Sequence, residues 1–377
     1  MSQPRDAVAA ATHPDPYPYY AELVARRPFY KDAALGLWVA SSARAVTAVL
    51  MEPACRVRPS SEPVPRALLG SSAADVFRHL VRMNDGEGHC PMKGAVSAFL
   101  DAFDERRVLD ETRRRARLLA GSGRLREWTF QLPVSVVGGL LGLPDDSLPH
   151  VARWTEDFVR GIAPGASPGQ VERAGSAAAR LLAVFRTALD GPLARLAGQV
   201  ERFGPAGLEA VLANVVGFLS QTYDATAGLL GNAVVALSRQ SSLLGATSAE
   251  TLLPAFLDEV LRFDSPVQNT RRFLAADAVI EGQALRAGDV VLVVLAAANR
   301  DPEANADPER FDLHRQARRV FSFGVGAHAC PGQALAKVIA RGALEALLAA
   351  GLEVRDFTYL PSVNGRIPLF SESELQP

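Results

Sequence analysis

The chain has little cysteine. Cys55, Cys90 and Cys330 are three among 377 residues, too few for a disulfide framework and one over in any pairing. They read as reduced thiols, which favours a cytoplasmic setting. Lysine is as scarce: Lys31, Lys93 and Lys337 stand against thirty-seven arginines. Long apolar runs are missing too. The longest, 290–298, is nine residues, far below the roughly 20 needed to span a bilayer. The first twenty residues lack the basic-then-apolar order of a secretory signal, so a soluble protein outside the membrane is expected. Neither charge sign is in excess: 40 basic and 41 acidic residues leave −1. No global field recruits nucleic acid, and a charged partner must meet a local patch.

Hydrophobic residues make up 48% and charged residues 21%, which is ordinary for a folded chain. Length alone suggests two or three domains, with residues 1–13 as a disordered extension. The segments around 28–31 and 37–40 predict a short hairpin. Helical periodicity broken by proline and glycine dominates 42–260, with one long uninterrupted helix over 208–239. Strands are expected at 267–273, 278–280 and 290–295, then a polar coil over 299–319, a helix over 333–350 and a closing hairpin over 352–369. Loops of that coil's length are often functional. The order predicts a mainly α fold with small β-sheets, without the strand–helix alternation of a doubly wound sheet.

The segment Phe321-Ser322-Phe323-Gly324-Val325-Gly326-Ala327-His328-Ala329-Cys330-Pro331-Gly332 leads straight into the 333–350 helix. Unpaired N–H groups and the dipole at a helix start favour thiolate over thiol. Glycines at 324, 326 and 332 let backbone lie close to a flat partner. Such a sulfur could be a nucleophile, a metal ligand, or simply a buried inert cysteine.

This loop resembles the haem-binding loop of the cytochrome P450 family, F-G-x-G-x-H-x-C-x-G in its usual bacterial form, with Phe323 in the aromatic position. The resemblance implies that Cys330 is the axial thiolate of haem iron, that Gly324 and Gly332 shape its bed, and that His328 contacts a haem propionate. Other stretches extend the resemblance from about residue 14 to 370, including Asp15-Pro16-Tyr17, Leu141-Gly142-Leu143-Pro144 and Ala298-Asn299-Arg300-Asp301-Pro302. It implies one large triangular body in place of several domains. Glu259 and Arg262 match the family's E-x-x-R, with Arg310 as the third, structural partner in the downstream coil. Arg272 and the His89/Lys93 pair occupy the positions of haem-propionate anchors, although lysine replaces the usual arginine and loses its bidentate fork. Cys55 and Cys90 are read as bystanders.

The oxygen-activation segment departs from the family. Gln221-Thr222-Tyr223-Asp224-Ala225-Thr226 keeps the acid as Asp224, but Ala225 stands where an alcohol normally relays protons. Thr226 lies one residue, about 100°, further around the helix. A substrate hydroxyl, amide or ordered water could replace the alcohol, or the reaction does not need an efficient relay. Gln221 and Thr222 replace small residues, and an amide at Gln221 either enters the substrate pocket or turns away. By the family's layout, substrate contacts are expected from Val267, Gln268, Asn269, Val363 and Asn364.

The resemblance implies a monooxygenase using haem b and dioxygen, with electrons from NAD(P)H-dependent partners. The expected reaction is hydroxylation of a peptide or amino-acid-derived natural product, either free or presented by a carrier protein. Epoxidation, ring closure or coupling by the same chemistry is the alternative within enzymes, and a non-catalytic haem sensor the alternative outside them. Arg318, Arg319, Lys337 and Arg341 suggest a landing patch for an acidic ferredoxin. A monomer is expected.

Overall fold

A computed structural model describes residues 3–86, 89–119, 125–200, 205–239, 252–351 and 356–371. Its helices run in chain order as α1 (Tyr17–Arg26), α2 (Ala43–Met51), α3 (Ser72–His79), α4 (His89–Asp101), α5 (Glu105–Leu119), α6 (Leu125–Leu140) and α7 (Leu148–Ile162). They continue as α8 (Pro168–Thr187), α9 (Leu193–Val200), α10 (Pro205–Arg239), α11 (Leu253–Phe263), α12 (Leu295–Asn299) and α13 (Gln333–Ala349). The strands are β1 (Phe29–Asp32), β2 (Leu37–Ala40), β3 (Cys55–Arg56), β4 (Thr270–Leu274), β5 (Ala278–Ile280), β6 (Gln283–Leu285), β7 (Val290–Val293), β8 (Phe357–Tyr359) and β9 (Pro368–Phe370). No described helix is long and apolar enough to cross a membrane.

Contacts divide the chain into two compact units. The first comprises Met1–Ser60, Ala227–Cys330 and Leu352–Glu374. It holds the five-stranded sheet in the order β1-β2-β7-β4-β3. The β1–β2 hairpin pairs Phe29 with Ala40, and β2 runs parallel to β7 with Trp38 opposite Val291. β4 lies antiparallel to β7, placing Arg272 opposite Val291. Leu295 was expected to end a strand, but β7 stops at Val293. The following Leu-Ala-Ala-Ala-Asn turns helical as α12, as alanine's high helix propensity favours.

Residues 9–12 form a 3₁₀ turn with Ala10 and Ala11 fully buried. The described part of the supposed disordered extension is therefore packed: its small alanines fit under Tyr17 and Tyr20 of α1 and Leu292 of β7. Arg366 fastens the same region. Its guanidinium meets Asp264 Oδ1 at 2.6 Å, donates to the carbonyls of His13 (2.6 Å) and Pro14 (2.9 Å), and stacks on the Tyr359 ring. Asn232 of α10 donates to the carbonyls of Asp264 (2.8 Å) and Arg366 (3.3 Å), tying the C-terminal part of the long helix to this cluster.

The second unit comprises Ser61–Thr226 and Pro331–Gly351 with the last three residues. It is helical, with α7 against α8 and α13 against α5 as its largest packings. Gly342 of α13 lets Thr112 of α5 approach so closely that a Cβ would lie 3.0 Å from the threonine methyl. The long helix, expected over 208–239, spans 35 residues, Pro205–Arg239. Residues through Thr226 belong to the second unit and those from Ala227 to the first.

Replacing Arg366 by methionine strands the largely buried Asp264 carboxylate and two carbonyl acceptors, His13 O and Pro14 O. Removing one partner of a buried pair costs about 3–5 kcal/mol, so urea unfolding should show a loss of that size; a loss below about 1 kcal/mol would contradict this account of the cluster.

Candidate active site

The cysteine loop is built by tight turns. Gly324 and Gly326 adopt φ of 67° and 72°, the left-handed region where glycine carries no steric cost. A Cβ on Gly326 would also meet Met51 Sδ at 2.7 Å. Gly324 N–H donates to Phe321 O (2.8 Å), Ala329 N–H to Gly326 O (3.0 Å) and Cys330 N–H to Phe323 O (2.8 Å). The backbone thereby curls under the sulfur, and the Cys330 side chain is exposed. Phe323 and His328 are half-buried in the same loop, and Gly332 caps α13. Cys55 is the opposite case: burial foremost, with Glu52 adding and Arg272 opposing, pushes its thiol up to about 12. The side chain of Cys90 lies outside the described residues.

The loop is held from beneath by buried polar groups. Ser322 Oγ donates to Leu261 O (2.8 Å), and Asn299 accepts from Phe321 N–H (2.6 Å) while donating to Leu261 O, Ser265 Oγ and Ser322 Oγ. Arg262 fixes Asn299's neighbourhood by donating to Pro308 O (2.8 Å) and Arg310 O (2.9 Å). Arg262 and Glu259, both fully buried, pair through two bonds of 2.6 and 3.0 Å.

Arg310 does not complete this group with its side chain. Its guanidinium is exposed and only its carbonyl takes part, because the chain reverses at Asp307 (φ 45°) and turns the side chain outward. The further guanidiniums on Glu259 are Arg315 (3.3 Å) and Arg318 (2.9 Å), joined by the Asp312 N–H (2.9 Å). Burial alone would raise the Glu259 pKa, but Arg262, Asp312 N–H and Arg318 outweigh it and hold the carboxyl below its ordinary value.

That arrangement removes Arg318 from the expected ferredoxin patch. Arg341 is also engaged, by Glu105 (2.8 Å) and Glu345 (3.6 Å). Of the four patch residues only Arg319 is exposed, lying over the Phe321 ring, with Lys337 half-buried.

Arg272 of β4 is buried and its guanidinium donates to Arg271 O (2.9 Å). Gln268 does not face an open pocket: it is fully buried, accepts from Tyr20 Oη (2.9 Å) and donates to Ser265 O (2.7 Å). Asn269 is likewise buried, its amide donating to Val363 O (3.0 Å). Both were expected to touch substrate; both instead fasten 265–269 to its surroundings, since an amide buried this deep must satisfy its own hydrogen bonds. Val267 bridges Gly365 and is half-buried, Val363 is exposed, and Asn364 O accepts from Gln268 N–H.

In the second unit His89 opens α4, buried, and Lys93 lies one turn on, half-buried; i and i+4 share a helix face. In mid-α10, Gln221, Thr222, Asp224 and Ala225 keep partial exposure while Tyr223 and Thr226 are buried. These four define one uncovered stripe. Thr226 points off it, 2% exposed, so the catalytic role weighed for it finds no support in its placement. The Gln221 amide turns back to its own helix, donating to Gly217 O (2.9 Å), instead of projecting into the stripe's open side. Asp224 Oδ1 is buried without a hydrogen bond. Burial, opposed by Arg160 and reinforced by Glu156, raises its pKa.

Among the described residues no group of three or more His, Cys, Asp or Glu could hold a bare metal ion. One exposed cysteine sulfur on a glycine-lined bed instead suits a metal whose other ligands come from a flat macrocycle. In the same unit as Cys330, the Arg272 guanidinium and the His328 ring offer N–H donors to such a group's carboxylates. The donor chemistry therefore fits haem.

A sequence model described as "Cytochrome P450" matches residues 246–350. The chain is 30% identical over 347 residues to 20-oxo-5-O-mycaminosyltylactone 23-monooxygenase of Streptomyces fradiae, covering 87% of this chain and 81% of that protein. It is 30% identical to cytochrome P450 monooxygenase PikC of Streptomyces venezuelae, covering 89% and 83%. The crystal structure of CalO2 superposes with a TM-score of 0.83 at 27% identity, covering 98% and 99%. P450BioI, crystallised with an acyl carrier protein bearing hexadec-9Z-enoic acid, shares the fold at TM-score 0.81 and 22% identity, covering 94% and 96%. The chain belongs to the cytochrome P450 family. It is a haem monooxygenase, and its electrons come from an external donor.

Sequence reasoning missed Arg315, Arg318 and Asn299 as supports of the loop. Glu259→Gln leaves three buried guanidiniums around a neutral amide and should cost about 3–5 kcal/mol. Because the folded Glu259 pKa is depressed, its contribution is present above the unfolded value of about 4.3 and is lost as pH falls through the folded one. Acid unfolding should show this component in the wild type and not in Glu259→Gln; identical acid profiles would refute it.

Proposed function

We propose that the chain uses haem b and NAD(P)H-derived electrons, delivered by a ferredoxin-type donor, to hydroxylate a natural product of peptide or amino-acid origin. The observation that carries this reading is an exposed Cys330 on a fixed loop together with a half-buried Asp224, on the uncovered stripe of α10, whose Oδ1 is buried without a hydrogen bond. Haem, when bound, supplies the activation of dioxygen. Cys330 would hold its iron, with His328, Arg272, His89 and Lys93 on its propionates.

The chain's own part is positioning and proton handling. Burial keeps Asp224 more basic than an ordinary aspartate, which suits its carboxyl to taking up and returning a proton. Ala225 offers no hydroxyl beside it, and Thr222 is the one alcohol on the open stripe. A substrate hydroxyl or amide, or an ordered water, completes the relay from Asp224. The two curated relatives are monooxygenases by name, which favours hydroxylation over coupling.

With a reconstituted donor and labelled dioxygen, the product should carry one labelled oxygen atom; label arriving only from water would overturn the reading. Asp224→Asn should lower product formed per electron by about tenfold or more. A raised carboxyl pKa makes the ionised form destabilising above about pH 4, where the unfolded chain ionises first, so the same variant should unfold at higher temperature at pH 7. Ala225→Thr should raise product per electron only with substrates lacking a hydroxyl or amide near the oxidised carbon. No gain with any substrate would remove the substrate-assisted relay.

A further inference from the structure

The tyrosines of this chain are unevenly placed. There are six, against seventeen phenylalanines. Tyr17, Tyr19, Tyr20, Tyr30 and Tyr359 all belong to the first unit, and Tyr223 to the second. The Tyr17 and Tyr20 rings meet edge to face at 5.8 Å, and the Tyr19 ring follows at 6.2 Å from Tyr20. Half-buried Tyr30 packs against the same cluster and carries the array toward solvent. On the other side the Arg366 guanidinium lies over the Tyr359 ring (3.7 Å) and 5.9 Å from the Tyr17 ring. Packing alone does not call for phenols here. The Tyr359 hydroxyl is buried without a hydrogen bond among the described residues, and a phenylalanine would fill the same space without that cost.

Tyr17 is the member of the array best placed to lose a proton. It is buried, and its Oη donates to Asp264 Oδ1 at 2.8 Å, a carboxylate within proton-transfer reach. Tyr20 Oη meets only the Gln268 amide oxygen (2.9 Å), a poor base. Tyr17 Oη also accepts from Ser265 N–H at 3.2 Å. From Ser265 a continuous path of bonds and hydrogen-bond contacts reaches the cysteine. Ser265 Oγ lies 3.1 Å from Ser322 Oγ, Ser322 is joined to Phe323, and Phe323 O accepts from Cys330 N–H at 2.8 Å. The whole path lies within the first unit. Electrons cross bonded paths and touching rings far faster than open space of the same length. The array therefore joins the cysteine, through a phenol with its own proton acceptor, to a half-buried ring.

We propose a second activity for this chain: Tyr17 is a one-electron donor that discharges peroxide-oxidised haem when no substrate is there to be oxidised. This rests on the reading of Cys330 as the ligand of haem iron. Hydrogen peroxide is the oxidant; it takes two electrons from the haem and, with two protons from solvent, becomes water. Each electron is returned in one pass. The Tyr17 O–H bond breaks, its electron goes to the haem and its proton to Asp264 Oδ1. An external reductant such as ascorbate then supplies an electron through the rings of Tyr30, Tyr19 and Tyr20, and the proton returns from Asp264 to Tyr17 Oη. Tyr17 and Asp264 end unchanged, and the reductant has lost two electrons for each peroxide consumed.

The test mixes substrate-free ferric holoenzyme with hydrogen peroxide, freezes it, and reads electron paramagnetic resonance. The wild type should show a radical signal that narrows in protein grown on ring-deuterated tyrosine. Tyr17→Phe, which keeps the ring, should lose most of that signal and bleach its Soret band several-fold faster. Tyr223→Phe, in the other unit, should match the wild type in both. Ascorbate should slow bleaching in the wild type and not in Tyr17→Phe. High-field spectra of the wild type add a check that needs no variant: the radical should couple to exchangeable protons, those of protonated Asp264 and Ser265 N–H. No tyrosine radical in the wild type, an equal signal in Tyr17→Phe, or a radical without exchangeable coupling would overturn the proposal. A wild type whose reduced carbon monoxide complex lacks the Soret band of a thiolate-ligated haem would instead sink the reading beneath it, a visibly different failure.

Discussion

One buried carboxylate organises the cysteine side of this protein. Glu259 is fully enclosed and faces the guanidiniums of Arg262, Arg315 and Arg318 together with the Asp312 N–H. A lone carboxylate there would be prohibitive, and three guanidiniums without it equally so. The group is stable only as a whole. Through Arg262 it grips the carbonyls of Asn299, Pro308 and Arg310, and through Asn299 and Ser322 the start of the cysteine loop. A coil of some twenty residues with little regular structure is thereby held still enough to present one sulfur.

The same chain sets its two described thiols in opposite surroundings. Cys330 is exposed while Cys55, a chemically identical group, is buried and pushed toward the thiol. Asp224 Oδ1 is buried without a hydrogen bond. Buried polar groups are normally paired, so Asp224 Oδ1 marks where water or a substrate supplies the missing partner.

Much of this was legible in the sequence, for identifiable reasons. The cysteine loop is local: its function depends on glycines, a histidine and a cysteine at fixed spacing. The long helix and the strands of the main sheet follow from periodicity, which the sequence carries directly. The third partner of Glu259 was not legible. In a coil without periodicity nothing distinguishes Arg310 from Arg315 and Arg318 until the reversal at Asp307 turns the first one outward. Nor could spacing reveal that Gln268 and Asn269 satisfy their amides internally, that Gln221 folds back on Gly217, or that alanines near the N-terminus are buried. Those facts depend on which surfaces meet, and a linear pattern does not contain them.

The central claim is that Cys330, alone among the three cysteines, is the thiolate ligand of haem iron. The carbon monoxide difference spectrum of the reduced protein tests it most directly. The wild type, Cys55→Ser and Cys90→Ser should all show the long-wavelength Soret band of a thiolate-ligated haem, and Cys330→Ser should lack it while still folding. Persistence of that band in Cys330→Ser, or its absence from the wild type, would contradict the account.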